Sequence, residues 1–361
     1  MNVVKTHSAY AWQYDPTRFI LRIVLFVPSI IILLIYYFRV LIYKCRIVRP
    51  KKLNAKVISV GNITLGGTGK TPLALYLASE LKKTGENIAI LTRGYKRECK
   101  KQLDFLGEKS NLSWKEVGDE PYLLAQELFS VPVIINKNRF KAGTLALRKY
   151  RSEIFLLDDG FQHWKLARDL DIVIIDSFNP FGGEKLFPAG YLREPISSLK
   201  RADILVLNKS DCAINKENIL DVLNRYNPCA LVVESTYQVV SINSVLDNSS
   251  MEIESVKGKK ALAFSGIANH ISFEKTLEGI GIEKLKHLKF SDHYPYQEND
   301  LEKIENEAIN LGADFILTTE KDMIRIPPLG ESKVPIYWVK IELKITQGEK
   351  ELSDLIKKKI R

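Results

Sequence analysis

A chain of 361 residues, 45% of them hydrophobic, has room for about two domains with sizeable cores. Its four cysteines, Cys45, Cys99, Cys212 and Cys229, are scattered without CxxC or zinc spacing, which excludes a disulfide scaffold and points to reduced thiols in a cytosolic compartment. The formal net charge of +10 does not describe a nucleic-acid binder, because residues 1–56 hold ten Lys and Arg against the single acid Asp15 and leave the rest of the chain almost neutral.

That charge brackets an apolar stretch from Phe19 to Tyr43, uncharged between Ile23 and Phe38. As a helix the whole stretch would rise about 37 Å, enough for a hydrocarbon core of roughly 30 Å, whereas the uncharged part alone would reach about 24 Å. A span with Arg22 and Arg39 snorkelling, a partly embedded helix and a buried core helix all stay open. A cleaved signal peptide fits less well: no small-residue cleavage site is evident, and the basic cluster follows the apolar run. The six basic residues from Lys44 to Lys56 place the following domain in the cytoplasm by the positive-inside tendency and suit contact with anionic headgroups.

Next comes VISVGNITLGGTGKTPLAL, Val57 to Leu75. A β-branched run enters a loop holding Gly61, Gly66, Gly67 and Gly69, and Lys70-Thr71 open an apolar helical pattern through Leu73, Leu77 and Leu81. Such a loop turns backbone N–H groups toward phosphate oxygens at a helix N-terminus, with the lysine on the β/γ-phosphates and the threonine hydroxyl available to Mg²⁺. Thr64 stands where the strict GxxxxGK[ST] pattern has its first glycine.

Strand and helix signals then alternate: strands at 87–91, 131–135, 154–157, 172–175 and 204–207, with helices at 121–129 and 138–150 between them. Short β-branched strands separated by helices predict a doubly wound parallel α/β sheet, with functional residues at the carboxyl ends of strands. Two acidic places meet that expectation. Asp158-Asp159 follow the run Ile154 to Leu157, where a P-loop enzyme holds Mg²⁺ and where a helix cap is the alternative. In GDEP, Gly118 to Pro121, Asp119 is either a plain N-cap or a carboxylate base for an attacking hydroxyl. Arg93, in RGYKR, reads as a phosphate or acceptor clamp or as a solvated arginine. PAGYLREP, Pro188 to Pro195, is an ordered loop whose spacing implies no chemistry unaided.

Asn208-Lys209-Ser210-Asp211 matches the guanine-reading NKxD of GTPases, yet no DxxG follows Asp158, and a strand-to-turn ending explains the four residues as well. From about Glu234 to Lys260 the sequence is polar and weakly periodic, as a linker would be. A second, smaller α/β unit follows, with strands at 261–264, 315–317 and 336–339 and helices near 272–277 and 301–311. Within it, His293 of Asp292-His293-Tyr294-Pro295 sits in a turn where an imidazole can hold a carboxylate base and share its proton, or is simply a surface or hydrogen-bonded histidine. TTEKD, Thr318 to Asp322, follows a strand end without a readable role.

Taken together, GNITLGGTGKTP, RGYKR, VGDEP, LDDGFQH, PAGYLREP, SDHYPY and TTEKD resemble, in order and across essentially the whole chain, the tetraacyldisaccharide 4'-kinases of lipid A biosynthesis. The resemblance implies transfer of the ATP γ-phosphate to the 4'-hydroxyl of a glycolipid, tetraacyldisaccharide 1-phosphate, at the cytoplasmic face of the inner membrane, with membrane contact and no nucleic acid. It implies an ATP loop of Thr64, Leu65, Gly66, Gly67, Thr68, Gly69, Lys70 and Thr71, with Lys70 on the phosphates, and Mg²⁺ at Thr71, Asp158 and Asp159. It implies Asp119 as base in a dyad with His293, with Arg93 and Glu120 in support. Residues 1–50 would be the membrane-anchoring segment, 51–235 the P-loop kinase core and 236–361 a smaller domain closing the active site. Two departures from the family pattern are Lys96, where glycine is common, and Tyr191, where proline is common. A P-loop GTPase switch and a membrane-associated ATPase are the competing readings.

Overall fold

The apolar stretch near the amino terminus forms helix α1 (Pro16–Lys44). In the computed structural model the described residues are 16–361 except Lys96, Lys100, 108–111, Asn248, Leu329, Glu331 and Arg361, with side chains described from Val24 onward. Residues 1–15, the Arg22 side chain and the departure at Lys96 therefore lie outside the described residues. Among those described, Val24–Lys44 is long and apolar enough to cross a membrane, and most of its large side chains are exposed.

The first half alternates as its sequence pattern demands: β1 (Lys56–Gly61), α2 (Lys70–Lys83), β2 (Ile88–Thr92), β3 (Leu103–Phe105), α3 (Trp114–Val117), α4 (Asp119–Leu128), β4 (Val133–Ile135), α5 (Arg139–Tyr150), β5 (Ile154–Leu157), β6 (Leu170–Asp176), β7 (Ile204–Asn208) and α6 (Lys216–Tyr226). Strands β2, β4, β5, β6 and β7 are buried along their whole length, which is why they read as continuous apolar runs. Parallel pairing sets the order β7-β6-β1-β5-β2-β4, with β3 antiparallel at the edge. Since β1 lies between β5 and β6, its loop and those after β5 and β6 open onto the crevice where the winding reverses.

The second half contains β8 (Leu231–Ser244), β9 (Ser250–Met251), β10 (Lys260–Ser265), α7 (His270–Gly279), β11 (Glu283–Lys289), α8 (Glu298–Leu311), β12 (Phe315–Thr319), α9 (Glu320–Met323), β13 (Ile336–Gln347) and α10 (Glu349–Ile360). It continues the same sheet in the order β11-β10-β12-β13-β8. The polar run expected as a linker is in its first part not a linker. Residues 234–244 are the greater part of β8, which pairs parallel with β7 and antiparallel with β13 from Glu234↔Gln347 to Ser244↔Tyr337. Its polar residues are not confined to a wet face: Glu234, Ser235 and Asn243 are buried with hydrogen-bond partners, which breaks an apolar run without ending a strand.

The smaller unit is also not closed on itself. Leu343 and Ile345 of β13 and Leu352 and Ile356 of α10 pack into the core formed by Ile58, Val60, Leu73 and Leu77 of the first half. Lys359 anchors the last turn by an ion pair with Asp203 at 3.0 Å, and its carbonyl accepts from the Lys56 ammonium.

At the carboxyl end of β10 a buried ion pair fixes the turn. Asp322 and Arg325, both with fully buried side chains, meet at 2.7 Å, and Asp322 also accepts from the Gly266 N–H and the Tyr296 hydroxyl at 2.9 Å each. Removing one partner of such a pair leaves a buried charge unpaired. Asp322→Ala is expected to lower the unfolding free energy by about 3–5 kcal/mol in urea titration, well beyond an exposed control such as Glu298→Ala.

Candidate active site

The phosphate loop is held from within. The Asn62 amide donates to the Thr64 carbonyl at 2.7 Å and to the Thr68 hydroxyl at 2.9 Å. Gly69 adopts φ 96°, and a Cβ there would collide with the Tyr237 hydroxyl and the Asn208 amide, so this position needs glycine for both reasons. Thr64 instead forms an antiparallel bridge with Leu192 and has no positive φ, which explains why a side chain replaces the first glycine. Gly69 supplies no side-chain cap to α2, leaving the helix N-terminus free for an anion. Lys70 reaches Asp159 at 3.7 Å.

Asn208 and Lys209 brace this loop. The Asn208 amide donates to the Thr68 carbonyl at 3.0 Å and the Tyr237 hydroxyl at 2.9 Å, while Lys209 pairs with buried Asp176 at 3.0 Å. Asp211, the residue that a guanine-reading motif would use, is exposed on the following turn.

The two acids after β5 divide their contacts. Asp159, at φ 50°, takes both oxygens to the Arg193 guanidinium at 2.9 Å; burial alone would raise its carboxyl, but Lys70 and Arg193 hold it below the usual range. Asp158 accepts from the Thr92 hydroxyl at 3.1 Å and has no ion-pair partner among the described residues. Burial, with Glu120 and Asp159 close by, pushes its carboxyl well up against the pull of Lys70. A hard divalent cation would suit Asp158, whose carboxyl the described residues leave without an ion-pair partner beside two other acids. Arg193 is a member of this cluster that the sequence alone did not single out. Its only signal was an arginine within a run of turn formers.

Asp119 is the first residue of α4, and the cap position belongs to Gly118 at φ 96°. The plain N-cap reading therefore fails, because the carboxylate is divided: Oδ1 accepts from the Glu120 N–H at 2.9 Å, and Oδ2 lies 2.6 Å from His293 Nδ1. His293 comes from the second half at φ 63°, its N–H donating to the Gly266 carbonyl at 3.0 Å. Lys321, from TTEKD, stands 3.2 Å from Glu120 and 3.9 Å from Asp119. Burial opposes the Lys321 ammonium, but Glu120, Asp119 and Asp292 overrule it and raise its pKa. Burial likewise works against the Asp119 carboxylate, yet the hydrogen bond from His293 with the charges of Lys321, His293 and Arg325 brings it down to about 2. Arg93 is exposed at the end of β2, with no ion-pair partner among the described residues.

A cleft of about 640 Å³ adjoins the loop, lined by Thr64 to Thr68, Asp176, Asn179, the segment 187–191 and, from the second half, Ala268 and Asn269. Asn269 donates to Asp176 at 3.2 Å across it. At Tyr191 the backbone carbonyl accepts from the Leu65 N–H at 2.7 Å, as a proline's also could, while its N–H donates to the Gly182 carbonyl at 2.8 Å, a bond that a proline could not make.

The sequence profile of the LpxK family, tetraacyldisaccharide-1-P 4'-kinase, matches residues 21–361. The chain is 39% identical to the tetraacyldisaccharide 4'-kinase of Halothermothrix orenii, with 93% of each covered, and 36% identical to that of Aquifex aeolicus, with 87% of this chain and 91% of that one covered. A crystal structure of the "apo" form of LpxK from Aquifex aeolicus in complex with ATP superposes with a TM-score of 0.74 at 33% identity, covering 94% of this chain and all of that one.

Gly69→Ala is expected to abolish detectable nucleotide binding in calorimetry while far-ultraviolet circular dichroism stays unchanged, since the collision is confined to the loop. The Asp119 contacts carry a pH signature as well. The folded carboxyl titrates below its ordinary 3.8, so its contribution is present above that value and lost as pH falls toward about 2. The stability difference between the parent and Asp119→Asn, about 2 kcal/mol near neutrality, should shrink across that window in pH-dependent unfolding.

Proposed function

The chain belongs to the tetraacyldisaccharide-1-P 4'-kinase family, and from that premise we propose how its own residues carry the reaction. It is an ATP-dependent lipid kinase of lipid A biosynthesis, moving the γ-phosphate to the 4'-hydroxyl of tetraacyldisaccharide 1-phosphate. ATP binds with its phosphates on the loop Thr64–Thr71 and the N-terminus of α2, and with Lys70 turned from Asp159 toward the β/γ oxygens. Thr71 and Asp158 would hold Mg²⁺, which when bound would neutralise charge on the transferring phosphate; Asp159 supports that region through Lys70 and Arg193.

The observation that carries the reading is the 2.6 Å contact between Asp119 and His293, two halves of the chain meeting at one carboxylate. The 4'-oxygen forms its bond to γ-phosphorus as the bond to the bridging oxygen of ADP breaks. The hydroxyl proton passes to the Asp119 carboxylate, which His293 Nδ1–H orients. A carboxyl held near 2 is a weak base, which suits a loose transition state in which the proton leaves late and positioning does most of the work. Glu120 fixes Lys321 beside that carboxylate, and Arg93, free at the mouth, meets an acceptor phosphate. The part of the second half that bears His293 and Lys321 acts as the closing element over the kinase core.

The acceptor carries four acyl chains, so we place the enzyme on the inner membrane with its catalytic part on the cytoplasmic face. One face of α1, through Ser29, Ile32, Leu33 and Tyr36, lies against the kinase core, while Val27, Ile31, Leu34 and Phe38 face outward. A helix flanked by folded protein along its length favours embedding over crossing.

Detergent-purified protein should transfer label from γ-labelled ATP to tetraacyldisaccharide 1-phosphate, and Asp119→Ala should lower kcat by about 10²–10⁴-fold with ATP binding retained. Label found only in free phosphate, or a requirement for GTP, would sink the kinase assignment.

A further inference from the structure

Ser29 is the one buried side chain among the described residues of α1, and it is a hydroxyl on a face where the neighbouring inward positions are Ile32 and Leu33. Its oxygen donates to the Leu186 carbonyl at 2.9 Å and accepts from the Ala189 N–H at 3.1 Å. The Leu25 carbonyl of its own helix, at 3.0 Å, competes for the same single hydrogen. A serine that needed only to satisfy itself would stop at Leu25. This one ties two backbone groups of a distant segment to the helix that meets the lipid.

That segment, residues 186–193, is pinned to the start of the phosphate loop through its last three residues. The Leu65 N–H donates to the Tyr191 carbonyl and the Arg193 N–H to the Ile63 carbonyl, each at 2.7 Å, with Thr64 and Leu192 paired between them. The same segment walls the nucleotide cleft and ends in the guanidinium that holds Asp159. A second contact from α1 leads to the same loop by another route. Arg39 stacks on Trp164 at 4.3 Å and donates to the Gln162 carbonyl at 2.6 Å, and the Gln162 amide donates to the Asn62 carbonyl at 2.9 Å.

We propose that Ser29 is a positioning residue for the nucleotide: through segment 186–193 it sets the phosphate loop, so the helix that meets the lipid also tunes ATP binding. The inference goes beyond membrane anchoring, since it makes α1 matter to ATP when no acceptor is present, and it rests on the phosphate loop being the ATP site. Without the hydroxyl, Ala189 N–H and Leu186 carbonyl lose a buried partner, the segment loosens, and the loop must be ordered when ATP arrives.

The test uses the full-length chain in detergent, with equilibrium binding of a non-hydrolysable ATP analogue in the absence of acceptor, followed by steady-state kinetics. Ser29→Ala should weaken analogue binding and raise the KM for ATP roughly 5-fold, with the KM for acceptor unchanged. Ser29→Thr, which keeps the hydroxyl, should restore binding. Leu34→Ala, on the exposed face of the same helix, should leave ATP affinity at the parent value. Parent-like ATP affinity in Ser29→Ala, an equal loss in Leu34→Ala, or a rise in acceptor KM matching that for ATP would overturn the proposal. A chain that binds the analogue normally, weakens on Ser29→Ala and phosphorylates no lipid would overturn the kinase reading and leave this one standing.

Discussion

Burying a carboxylate is tolerable only if positive charge and hydrogen bonds surround it, and Asp119 draws most of its compensation from the far half of the chain. His293 lies 174 residues along the sequence, and Lys321 approaches from the same side. Much of the second half can be understood as the framework that delivers those two groups. Gly266 accepts the His293 N–H, Asp322 holds Gly266, and Arg325 joins Asp322, the Gly266 carbonyl and the Lys321 carbonyl. The ion pair after β12 is thus a support for Asp119, at one remove.

The nucleotide side follows a different rule. A phosphate loop must leave its N–H groups bare and yet stay rigid, so its bracing has to come from behind. Asn62, Asn208, Tyr237 and segment 186–193 provide it, and the space that a Cβ would occupy at Gly69 is filled by two of those side chains. Asn208 and Lys209 look like a base-reading motif in sequence because a strand end beside a phosphate loop is a useful place for an amide and a cation, whatever the nucleotide.

The buried strands, the phosphate loop and the acids after β5 were legible because each writes a local pattern: β-branched runs, glycines before Lys-Thr, carboxylates at a strand end. The pairing of Asp119 with His293 came from the resemblance, since spacing alone left a cap and a surface histidine as fair readings. Arg193, Lys321 and Ser29 were not legible, because periodicity reports which face is buried and says nothing about which partner a polar group finds across the fold. The ribbon of β8 and β13 was mistaken in part for a linker for a related reason: polar side chains that find buried partners, such as Glu234, Ser235 and Asn243, break the apolar run that marks a strand. Residues 343–356 were assigned to the smaller unit because sequence order is a poor guide to where a chain returns.

That return has a consequence for the order of events during synthesis. Helix α1 is made before the core and α10 long after it, yet α10 and the end of β13 complete the packing around β1 and α2. The nucleotide half cannot finish its core until the residues of α10 have left the ribosome, whereas the apolar helix is exposed from the start of synthesis. For most of its synthesis the phosphate loop therefore sits on an open core, and its full support arrives only with the returning strand and helix.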